Sequence, residues 1–182
     1  MWWPDRRRRS ARLALALAIA AATLGAGCQV RPLYLSEAEG GLLSPVPDLR
    51  AILINQPDSR VEQEIRNELL FLFRGDGSEV VEPRFRLRML VTSSTNNIAV
   101  GYVNDLPRGV IVTVNVTFVL TEIDTEATLL TGSAVATASY DFSSQRFANV
   151  RAERDAETRA ANSIAEQLNA RIAAYFAARR SS

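Results

Sequence analysis

Histidine and lysine are both missing from this chain, whose 21 basic residues are therefore all arginine, and cysteine occurs once. Without imidazole there is no histidine general base and no histidine metal ligand. Without lysine there is no Schiff-base nucleophile and no P-loop phosphate grip. A single thiol forms no intrachain disulfide, so Cys28 needs another explanation. Hydrophobic residues make up 47% and charged residues 23% of the 182 positions, the balance of an ordinary globular chain with room for one core. Wholesale disorder and a polytopic membrane protein are both excluded by that balance.

What is present first is a targeting pattern. Arg6, Arg7, Arg8, Arg9 and Arg12 precede an almost pure Leu, Ala and Ile run from Leu13, which ends in the small residues Gly25, Ala26 and Gly27. This is the basic, apolar and small-residue order of a secretory signal, and at about 15 residues the run is shorter than the roughly 20 that cross a bilayer as a helix. A retained anchor is the alternative. Cys28 directly after Ala26 and Gly27 resembles the bacterial lipobox, whose cysteine is acylated on sulfur, with chains such as palmitate, and becomes the first mature residue. Gly25 stands where lipoboxes usually carry Leu, Val or Ile; the rival reading is ordinary cleavage near Ala26 with Cys28 left as a free thiol. Acyl chains on Cys28 would be the only non-protein group, since no cofactor or metal site is expected, and would tether the chain to a membrane surface without spanning it. Gln29 after the cysteine, where Asp tends to retain such proteins at the inner membrane, points to the outer membrane. Removing residues 1–27 takes five Arg and Asp5 from a chain of 21 Arg and 20 acids, leaving 16 against 19 and a net charge of −3. That balance gives no reason to expect nucleic-acid binding.

Residues 28–48, with Pro32, Gly40, Gly41, Pro45 and Pro47, read as a tether, and residues 49–182 as the folded domain. The short apolar run at 49–56 between Pro47 and Pro57 predicts a strand. Val61, Ile65, Leu69, Leu72 and Phe73 then recur at helical spacing, opened by Ser59 with Glu62 as a capping box and closed by Gly75. The Gly-Asp-Gly at 75–77 follows a helix, so it is no phosphate loop. Three runs alternate with period two: Phe85, Leu87, Met89 and Val91 against Arg84, Arg86 and Arg88; Val110 through Leu120 against Thr113, Asn115, Thr117 and Thr121; and Ala134, Ala136, Ala138, Tyr140 and Phe142 against Ser133, Thr137, Ser139 and Asp141. Such alternation describes an antiparallel sheet with one dry and one wet face. A second apolar stripe, Ala161, Ile164, Ala165, Leu168, Ile172, Tyr175 and Phe176, predicts a helix from about 149 to 178. The fold expected is α+β, in the order β-α-β-β-β-α, with two helices on one face of a roughly four-stranded sheet.

On "CQVRPLY" at 28–34, "IRNELLF" at 65–71 and the Ala-rich "FANVRAERDAETRAANSIAEQL" at 147–168, the sequence resembles the LptE family of LPS-assembly lipoproteins, particularly its alphaproteobacterial branch. The resemblance covers nearly the whole mature chain. It implies a non-enzymatic, Gram-negative outer-membrane lipoprotein that plugs and helps assemble the LptD β-barrel, facing the periplasm or the barrel lumen, and that supports lipopolysaccharide delivery to the outer leaflet. A barrel lumen is polar, and the Thr, Ser, Asn and Arg strand faces offer it a hydrogen-bonding surface. Arg84, Arg86 and Arg88 are candidate lipopolysaccharide contacts, because guanidinium forks pair with phosphate oxygens. The plain alternative is a solvated strand face. The loop carrying Asn104, Asp105 and Arg108 is the candidate partner contact, and otherwise a simple turn. Two other functions compete: an auxiliary lipoprotein of an ABC-type envelope lipid transporter, and an envelope hydrolase using carboxylates. No carboxylate pair sits in a recognisable catalytic motif.

Overall fold

The computed structural model describes residues 46–75, 77–100 and 107–181. Seven elements follow in order: α1 (Val46–Arg50), β1 (Ile52–Ile54), α2 (Arg60–Arg74), β2 (Phe85–Val100), β3 (Pro107–Glu122), β4 (Thr128–Asp141) and α3 (Arg146–Ser181). The sheet runs β1-β2-β3-β4, with β1 parallel to β2 and the remaining pairs antiparallel. The expected α+β architecture is therefore present, with one addition and one change of sense. Leu49 lies in the short helix α1, not in a strand, and the strand expected over 49–56 shrinks to three residues. It is parallel to β2 because the whole of α2 lies between them, the length a parallel crossover requires.

The boundaries of α2 follow from its sequence. Ser59 sits in extended geometry and its hydroxyl accepts the Glu62 N–H at 3.2 Å, while Gly75 adopts φ 81°, a left-handed conformation that glycine takes without a Cβ clash. The Glu62 carboxylate reaches back one residue further than a capping box demands, accepting the Asp58 N–H at 3.1 Å. Val61, Ile65, Leu69, Leu70 and Phe73 are buried.

Along β3 every second residue from Val110 to Leu120 is buried, as the alternation predicted. Burying one such side chain contributes about 1.5–3 kcal/mol, so the alternation alone orients the sheet. Thr121, expected on the wet face, stays paired with Arg86 of β2 but is buried, beside a register shift of the β3-β4 ladder between Leu120 and Thr121. Met89 and Val91 are only half-buried, and Phe142 lies beyond the end of β4.

The inner face of β4 is Ala134, Ala136 and Ala138, and α3 meets the core with Ala156, Ala160, Ala161, Ala165 and Ala173. Small residues on both sides let the helix axis approach the sheet closely. Phe118 of β3 fills the remaining depth over its cross-strand partner Gly132, where a Cβ would stand 3.0 Å from two ring atoms. No helix among the described residues is long and apolar enough to cross a membrane.

Candidate functional site

The face of the sheet turned away from the helices is bare. Across it the register places Arg86 beside Thr121, Arg88 beside Val119, Leu90 beside Thr117 and Thr92 beside Asn115, and continues to Ser133, Val135 and Thr137 of β4. Threonine, serine and asparagine dominate, so apart from Arg86 and Arg88 the surface offers mainly hydroxyl and amide groups. Leu90 is 70% exposed and Val135 53%, which makes the face amphipathic in composition, not simply solvated.

Arg86 and Arg88 are exposed and make no ion pair among the described residues. They stand two residues apart on one strand, about 6.8 Å by strand geometry, a spacing that suits two anionic oxygens of one headgroup. Arg84 does not join them. It precedes β2, and its guanidinium is drawn to Asp48, Nη2 to Oδ1 at 2.5 Å, passing 5.2 Å from the centre of the Phe85 ring.

That pair belongs to a second feature, which the sequence did not disclose. Asp48, Arg84, Phe85, Glu122, Phe176, Arg179 and Arg180 line a cleft of about 300 Å³. The other Asp48 oxygen accepts Arg180 Nη2 at 2.6 Å, and Arg179 lies 3.5 Å from Glu122. Phe85 and Phe176 form its floor, ring centres 4.8 Å apart. Each of its three guanidinium groups reaches one of the two carboxylates, Asp48 taking two and Glu122 one, so the cleft clasps the start of the domain to its last helix. The only sequence signal for it was the Arg179-Arg180 pair at the helix end, where cations also suit the dipole.

Asn104 and Asp105 lie outside the described residues, as does Cys28, and of Arg108 only its backbone place in β3 is described. No group of three metal-ligating side chains occurs among the described residues. Burial, reinforced by the Glu153 and Glu157 carboxylates, raises the Tyr140 phenol above its ordinary value, which favours its neutral form.

Comparison with known proteins places this geometry. The profile of the family described as LptE, lipopolysaccharide-assembly, matches residues 49–172. No curated protein matches significantly. Among solved structures, one from Caulobacter crescentus CB15 described as a lipoprotein superposes with a TM-score of 0.58 at 18% identity, covering 73% of this chain and 96% of its own. Rare lipoprotein B from Shewanella oneidensis gives 0.51 at 12% identity, covering 68% and 92%. Lipoprotein B from Nitrosomonas europaea gives 0.52 at 12% identity, covering 68% and 82%. At these identities the structures speak for the fold alone.

Proposed function

The chain belongs to the LptE lipopolysaccharide-assembly family, and from that premise we propose that it is a non-catalytic outer-membrane lipoprotein that plugs and helps assemble an LptD-like β-barrel, supporting delivery of lipopolysaccharide to the outer leaflet. In this reading residues 1–27 are the signal, Cys28 carries the acyl anchor, and the tether runs to the start of α1. One observation carries it. The long strands β2, β3 and β4 present a wide face rich in hydroxyl and amide groups and uncovered among the described residues, which suits a wet, polar lumen wall and does not suit a second core. Arg86 and Arg88, which make no ion pair among the described residues, supply on that same face a place for lipid-borne phosphate.

Depleting the protein in its own cells and following newly made lipopolysaccharide tests the reading. Surface arrival is expected to fall and to return when the wild-type chain is resupplied. Unchanged arrival during depletion contradicts it.

A further inference from the structure

The two outer edges of the sheet are treated differently. Along β4, side chains of α3 cap the outward carbonyls: Arg171 donates to Ser133 O, Gln167 to Val135 O at 3.4 Å, and Arg159 to Ser139 O at 2.9 Å. Helix residues four apart advance about 6 Å and strand residues two apart about 6.8 Å, so one stripe of α3 keeps step with the β4 edge. A sheet edge is a row of unpaired donors and acceptors, and this one is blunted by the chain's own side chains.

Among the described residues the outward backbone groups of the β2 edge have no such cover, although the Thr95 side-chain hydroxyl donates to the Glu153 carboxylate of α3 at 3.3 Å. β1 pairs only with Phe85, Arg86 and Leu87. Phe85 N–H bonds to Ala51 O and Asn55 N–H to Leu87 O, so the odd-numbered backbone groups of β2 face the β1 side. Beyond Leu87 those of Met89, Val91, Ser93, Thr95 and Asn97 reach no other described residue. The ladder to β3 stays regular as far as Asn97, where a register shift begins. Neither proline nor lysine, the usual guards of such an edge, occurs between Arg88 and Ile98.

We propose that the β2 edge from Arg88 to Asn97 accepts an extended segment of a protein partner as a further strand of the sheet, with a carboxylate on that segment opposite Arg88. This rests on the reading that the chain works with a protein partner, and it names the surface and the chemistry. Main-chain bonds to the odd-numbered residues hold the segment, and side chains directly across a strand pair lie about 5 Å apart, within reach of the Arg88 guanidinium, which makes no ion pair among the described residues. A second copy of this chain is the poorer occupant. Residues 88–98 contain no acid, so two β2 edges laid together bring no carboxylate to either arginine.

The test places a photo-crosslinking benzoylphenylalanine at Thr95 of the full chain in native membranes, with and without Ser93→Pro. Proline removes an outward N–H while leaving the bonds to β3 intact. An adduct whose captured peptide maps to one segment of one protein, and whose yield falls about tenfold or more with Ser93→Pro, is expected. If Ser93→Pro lowers the melting temperature, Ser93→Lys guards the edge without altering the backbone. No protein adduct, or one undiminished by either substitution, overturns the proposal. An edge-dependent adduct to a protein that is not a barrel upholds strand addition and removes the plug reading. A barrel that co-purifies undiminished with the Ser93→Pro chain does the reverse.

Discussion

The ring of Phe118 lies on the bare backbone of Gly132, its partner across the β3-β4 ladder. Phe118 is only 1% exposed, and a methyl group on Gly132 would meet Cε1 and Cζ at 3.0 Å. Gly132→Ala is therefore expected to destabilise the fold by about 1–2 kcal/mol, read by urea denaturation, because a packed ring has nowhere to move. A paired Phe118→Leu change, which shortens the ring, is expected to recover part of that loss.

Asp48 holds two arginines from distant parts of the chain, Arg84 before β2 and Arg180 near the end of α3. Its carboxylate is largely buried while Arg84 is half exposed, so the loss in Asp48→Ala falls between surface and buried values, about 1–2 kcal/mol. Raising salt is expected to shrink the difference between wild type and variant.

Replacing Arg159, Gln167 and Arg171 together with alanine uncaps the β4 carbonyls. Native secondary structure is expected to persist, since none of the three belongs to the core, while light scattering detects concentration-dependent association that the wild type lacks.

Changing Arg86 and Arg88 to serine is expected to lower lipopolysaccharide affinity about tenfold or more in a direct titration, with stability within about 0.5 kcal/mol of wild type. Arg84→Ser is expected to do the opposite, costing stability through Asp48 and leaving affinity unchanged. Equal affinity for the double variant and wild type removes the pair from the site.

Much of this was legible in the sequence because burial imposes periods. The alternation of Val110 to Leu120 and the 3.6-residue spacing of Val61 to Phe73 reported faces directly, and Ser59 and Gly75 marked the ends of α2 through their own chemistry. Tertiary decisions were not legible. Nothing local to Arg84 separates it from Arg86 and Arg88; Asp48, 36 residues earlier, does so. Leu49 reads as strand from its apolar neighbours, and folding into α1 is settled by packing against distant elements. Met89 and Val91 carry a core pattern, yet they stay half-buried near the uncapped edge. The contrast between the two sheet edges depends on where α3 lies, which a one-dimensional pattern does not encode.

The measurement that tests the central claim most directly is a mild-detergent pull-down of the full chain, tagged at its C-terminus, from native membranes, with co-purifying proteins quantified by mass spectrometry. The account predicts recovery of a large outer-membrane β-barrel in stoichiometric amount. Recovery of an inner-membrane ABC permease without any barrel would contradict it.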